Sequence, residues 1–139
     1  MIRVIYETGL TAVPSDLVPP VGYQWKLRYI LAIITAGGTA GTRIIQVSLK
    51  PGNNGTGAIL FLTPGTTSTD SASGDTIVTA GGLSIGGVNG TATTYSNWNA
   101  SPYVNPGDTL TFQNSALISG DTLSYYISVE EDSVASGIE

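Results

Sequence analysis

Apolar and polar residues alternate with a period of two along most of this chain, the pattern of strands with one face on a core and the other in solvent. Ile2 to Thr8 sets Ile2, Val4 and Tyr6 on one face and Arg3, Ile5 and Glu7 on the other. Thr42 to Lys50 turns Ile45, Val47 and Leu49 inward, with Gln46, Ser48 and Lys50 facing solvent. Thr109 to Gln113 offers Leu110 and Phe112 to the core. Thr122 to Glu130 offers Leu123, Tyr125, Ile127 and Val129, with Ser124, Tyr126, Ser128 and Glu130 opposite. Shorter strands are expected at 58–63, 75–79 and 91–95, the first apolar on both faces.

Trp25 to Ala36 is the longest expected strand, and its pattern is ambiguous. Trp25, Leu27, Tyr29, Leu31 and Ile33 form one face, which alternation assigns to the core. The other face begins with Lys26 and Arg28 but continues Ile30, Ala32, Ile34. Its second half is therefore apolar on both sides. Either the domain's own loop covers Ile30, Ala32 and Ile34, or they form a contact with another subunit or a capsid.

Turn signals separate these runs. Gly-Asp-Thr occurs three times, at Gly74, Gly107 and Gly120, each time opening an alternating segment. Glycine supplies a positive φ, aspartate bonds backbone two residues on, and the β-branched threonine starts the strand. The spacings of 33 and 13 residues and the unlike flanks exclude a repeat architecture. Asn54-Gly55 and Asn89-Gly90 read as further turns. Residues 9–24 contain Pro14, Pro19 and Pro20, so no helix runs through them. They are expected to be an irregular loop or an arm lying on a neighbouring protein.

The expected fold is all-β: one domain over residues 1–139, an antiparallel two-sheet sandwich of eight or nine strands. A jelly roll stands ahead of an immunoglobulin-like layout, which lacks its cysteine pair here. Residues 131–139 are expected to be a frayed acidic tail.

Composition narrows the function. Charged residues make up only 11% of the chain, against about 25% in ordinary domains. Its surface must then be Thr, Ser, Asn and Gly, which suits contact with protein or sugar. The net charge of -5, with the five cations scattered, argues against nucleic acid. The longest apolar run, Tyr29 to Ile34, is too short to cross a membrane, and the N-terminus is interrupted by Arg3 and Glu7, unlike an export signal. A soluble protein is expected.

There is no histidine and no cysteine. Nucleophile triads therefore lack a base, and no Ser-x-x-Lys spacing replaces one. The aspartates sit mostly in turns, where local hydrogen bonding accounts for them. None of Asp75, Asp108 and Asp121 has an acidic residue two positions away, as a calcium loop would. No enzyme activity, cofactor or metal is expected. Trp98, Tyr95 and Tyr103, with Tyr126, are the aromatic side chains that could stack on a sugar.

The block WKLRYILAIITAGGTAGTRIIQVSLKPG, with VNPGDTLTF and SGDTLSYYISVEED downstream, resembles the jelly-roll capsid auxiliary proteins of tailed bacteriophages, also called decoration or cement proteins. The resemblance spans roughly residues 25–132 and rests on strand and turn grammar. It implies a homotrimer on the virion surface that binds the major capsid protein and holds the shell together, soluble in the host cytoplasm before assembly. The alternative is a carbohydrate-binding or adhesive module, including a phage tail or fibre domain.

Overall fold

The alternating runs fold into eleven strands among the residues that the computed structural model describes: 1–52, 59–71, 73–86, 88–113 and 115–134. The strands are β1 (Ile2–Leu10), β2 (Tyr23–Thr35), β3 (Gly41–Ile45), β4 (Ser48–Lys50), β5 (Leu60–Phe61) and β6 (Thr66–Ser71). They continue as β7 (Thr76–Gly82), β8 (Ala92–Asn97), β9 (Tyr103–Val104), β10 (Thr109–Thr111) and β11 (Thr122–Ser133). No helix occurs among the described residues. The turn expected at Asn54-Gly55 lies outside them.

The large sheet runs β1-β11-β2-β7-β8, with β9 also pairing β2. Opposite it lie β10-β4-β5 and the β3-β6 pair, tied further by isolated bridges Ile44–Ala116 and Leu17–Leu110. The result is a β-sandwich-like all-β fold. One departure from the expected antiparallel pattern is the β7–β8 pair, which is parallel. β8 runs alongside β7 in the same sense, in register from Ile77 with Ala92 to Gly82 with Asn97.

The inner faces meet in one core. Leu123, Tyr125, Ile127 and Val129 of β11 pack with Ile45, Val47, Leu49, Leu110 and Phe112, as alternation predicts. Phe112 and Tyr125 meet at 5.4 Å between ring centroids, tilted by 58°. Ser48 does not face solvent as expected; it is fully buried.

In β2 the expected faces are corrected. Ser128 pairs with Tyr29 while the next residue, Val129, pairs with Leu27, so Arg28 is an extra residue, a β-bulge. Side chains before and after it change phase. Trp25 and Leu27 point inward, and so do Ile30, Ala32 and Ile34, all three completely buried. Tyr29, Leu31 and Ile33 turn outward. Each fully buried leucine or isoleucine contributes about 1.5–3 kcal/mol, so the phase change keeps both halves of the strand in the core.

Of the two expectations for residues 9–24, an irregular loop or an arm on a neighbouring protein, the segment after β1 follows the first and lies on its own domain. Leu17 and Leu110 exchange two backbone hydrogen bonds of 2.8 Å, Val13 and Leu17 pack on the core, and Pro19 is buried. Pro14 is half-buried and Pro20 exposed. The start of the expected acidic tail is also structured. Glu131 lies within β11, is buried, and accepts a 2.8 Å bond from the Trp25 indole Nε1. Residues 135–139 are outside the described residues.

Two Gly-Asp-Thr turns lock the layers together. Gly107 and Gly120 adopt φ of +92° and +94°, as the third position of a type II turn requires. Asp108 and Asp121 do not bond forward as expected. Each carboxylate accepts the N–H three residues back, Asn105 or Ile118, and a second N–H from another turn, Gly52 or Gly37. Both of those glycines sit so close to Gly107 and Gly120 that a Cβ would collide with backbone.

Candidate interaction surface

The pleat and the bulge together decide what the large sheet shows to solvent. In register across its outer side are Ile2, Val4 and Tyr6 from β1, Ser124 and Tyr126 from β11 with the buried Ser128 beside them, and Tyr29, Leu31 and Ile33 from β2. Tyr95 of β8 follows beyond Ala80, and Tyr103 of β9 stands beside Lys26. Ile2, Val4 and Tyr6 are 57%, 43% and 62% exposed. Tyr6 stacks on Tyr126 with centroids 6.1 Å apart and planes within 12°. Nothing among the described residues covers the β1 end of this face, which is mainly apolar and aromatic.

One end of the same face is cut by an open cleft of about 380 Å³. Lys26, Arg28 and Tyr29 of β2 form its floor with Glu130 of β11, and the 83–85 loop forms a wall. Ser84 is held at φ +57°, a left-handed conformation uncommon outside glycine. The Ile85 N–H donates to Asn97 Oδ1 at 2.6 Å, which pins this loop to β8. The cleft thus combines two cations, a carboxylate and an aromatic ring.

Beneath the β1 end, the Tyr125 hydroxyl donates to Glu7 at 3.1 Å. Burial and then this carboxylate push the Tyr125 phenol up to about 12. Arg3 lies 3.4 Å from Glu131. Among the described residues no group of three or more carboxylates is placed to hold a metal ion, and no helix is long and apolar enough to cross a membrane.

The sequence candidates separate cleanly in space. Ile30, Ala32 and Ile34 belong to the core and are not available as a contact face; Tyr29, Leu31 and Ile33 occupy the outer side instead. Tyr95 and Tyr103 are 49% and 45% exposed, on one face with Tyr29, Tyr6 and Tyr126. Trp98 is not with them. It is half-buried against the core, and its indole donates to the Leu62 carbonyl at 2.8 Å, so its ring is committed to packing. Sequence reasoning missed Tyr29, Leu31 and Ile33 as outer-face residues, because only the bulge turns them outward. No family model, curated protein or solved structure matches the chain.

Proposed function

We propose that the protein is a non-enzymatic structural protein of a virus particle, a jelly roll that decorates and reinforces a phage capsid as an oligomer by binding the major capsid protein. The observation that carries this reading is the broad outer face of the large sheet, where Ile2, Val4, Tyr6, Tyr126, Tyr29 and Leu31 form a surface suited to protein contact. The strand order supports the jelly roll. One layer reads β1-β11-β2-β7, and the other reads Leu17 segment, β10, β3–β4, β5–β6, which is the order of two nested Greek keys. Low surface charge lessens the desolvation cost of such contacts, and many weak contacts on a lattice add through avidity.

The test is co-sedimentation of the purified protein with expanded heads of tailed phages. Wild type is expected in the pellet, and Leu31→Asp, which puts a charge on the outer face, is expected to stay in the supernatant with an unchanged melting temperature. Equal sedimentation of both proteins would refute this face as the contact. A second reading, a carbohydrate-binding module, is favoured by Tyr29 and Ser101 lining the cleft and by Tyr103, which pairs with the cleft residue Lys26. For that reading, a polysaccharide column should retain wild type and release Tyr103→Ala.

A further inference from the structure

The far edge of β1 is open. Among the described residues β1 pairs only with β11, and nothing pairs with its other side. Edge strands template pairing with another chain unless they are short, bulged or carry lysine or proline. β1 is nine residues long, with no lysine or proline, and its single irregularity falls between Glu7 and Leu10. Residues 2–7 therefore form a regular, exposed pairing edge.

The direction of its hydrogen-bonding groups follows from the ladder. Met1 and Glu131 exchange backbone bonds, N–H to O, at 2.7 and 3.1 Å. In an antiparallel pair such residues alternate with residues whose N–H and C=O point away. From Met1 the pairing is continuous through Glu7, so Arg3, Ile5 and Glu7 bond to β11. Ile2, Val4 and Tyr6 then present their N–H and C=O to the open edge.

We propose that two copies of this chain join edge to edge through antiparallel β1 strands, with the two-fold axis at Ile5. In this register Val4 of each copy exchanges two hydrogen bonds with Tyr6 of the other, and Ile2 reaches Thr8. Arg3 of each copy falls opposite Glu7 of the second copy, on the same face. Centring the axis on Arg3 or Glu7 would place like charges opposite each other, centring it on Val4 would leave Arg3 opposite Ile5, and centring it on Tyr6 would leave both charges unmatched. Only the Ile5 register pairs all four. The Glu7 carboxylate uses Oε2 for Tyr125, which leaves Oε1 for the arriving guanidinium. β1 carries one cation and one anion, so it adds no repulsion in a chain of net charge -5. The contact is isologous, as a closed dimer requires. It also joins the two apolar outer faces, because Val4 and Tyr6 of each copy lie on that side.

This inference goes beyond the capsid reading and is tested on the isolated protein, so either can fail alone. The chain contains no cysteine, so one introduced thiol gives an unambiguous crosslink. In the proposed register Ile5 faces its own copy in a pair without hydrogen bonds, with Cα atoms about 4.5 Å apart, inside disulfide reach. Ile5→Cys should oxidise to a disulfide-linked dimer, whereas Val4→Cys, offset by two residues, should remain unlinked. Light scattering should report a dimer for wild type and a monomer for Val4→Pro, whose missing N–H lies on the open edge and not in its own ladder. Should that variant fail to fold, the charges decide. Glu7→Lys, which sets a like charge opposite Arg3 of the second copy and leaves the Arg3–Glu131 contact in place, should weaken the dimer about tenfold. A monomeric wild type, a trimer, or equal linking of the two cysteine variants would overturn the proposal.

Discussion

Asp108 and Asp121 occupy the same tripeptide and the same turn, yet one is a modest clasp and the other the most charged point in the interior. Both accept the N–H that opens their turn and both reach a glycine N–H of a neighbouring turn. Asp108 is 8% exposed and, among the described residues, takes nothing more. Asp121 is 1% exposed and also takes a bidentate pair of 2.7 Å bonds from Arg43 Nε and Nη2. Arg43 itself is buried, and its Nη2 donates to the Thr39 carbonyl at 2.7 Å. Gly-Asp-Thr therefore encodes a turn that clasps another turn. Depth of burial decides whether the aspartate also needs a cation. Where it does, β3 supplies one whose own charge Asp75, of the first Gly-Asp-Thr, helps to hold.

Removing the cation should have the largest effect. Arg43→Met keeps much of the buried stem but leaves Asp121 ionised without its partner, and removing one member of a buried pair costs about 3–5 kcal/mol. Urea unfolding should show a loss of that size. Arg43→Met/Asp121→Leu should recover part of it, because the uncompensated charge is gone. A loss below about 1 kcal/mol for Arg43→Met would mean that the pair offsets no more than its own desolvation.

Acid should probe the same asymmetry with a smaller effect. Burial alone would raise the Asp121 carboxyl, but the bonds from Arg43, Gly37 and Ile118 hold it at about 2, below its ordinary 3.8. A carboxyl with a depressed folded pKa stabilises fully above its unfolded value and loses that stabilisation as the pH falls through the folded one. The contribution of about 2 kcal/mol should be complete above about pH 5 and disappear towards about pH 1. The Arg43→Met/Asp121→Leu protein should show a correspondingly shallower acid dependence between these values.

How much of this could be read from the chain follows from what each signal constrains. β10 and β11 were legible because their alternate residues are polar, so only one phase buries Leu110, Phe112, Leu123, Tyr125 and Ile127. β2 was not, because both phases are apolar after Arg28 and a single extra residue exchanges them. The tyrosine-bearing outer face was therefore half visible: Tyr95, Tyr103 and Tyr126 by pattern, Tyr29 and Leu31 only by the bulge. Trp98 was misplaced because a polar neighbourhood in sequence says nothing about the Leu62 carbonyl 36 residues away that accepts its N–H. The Arg43–Asp121 pair, 78 residues apart, has no local signature at all.

The smallest effect belongs to Asp108, and it tests whether the shared turn geometry or the charge carries the clasp. Asp108→Asn retains one acceptor oxygen but turns an amide NH₂ towards either the Asn105 N–H or the Gly52 N–H, so one of these donors loses its partner. An unsatisfied amide costs about 1–3 kcal/mol when fully buried and less at a solvent margin, so a loss near 1 kcal/mol is expected. No arginine is stranded, and the tight approach of Gly52 to Gly107 is unchanged. The same exchange at Asp121 removes both a backbone partner and the charge opposite Arg43, so its cost should be at least twice as large. Equal losses at the two sites in parallel denaturation curves would mean that the turn clasp alone matters and that Arg43 adds nothing net; a clear gap assigns the difference to the buried cation.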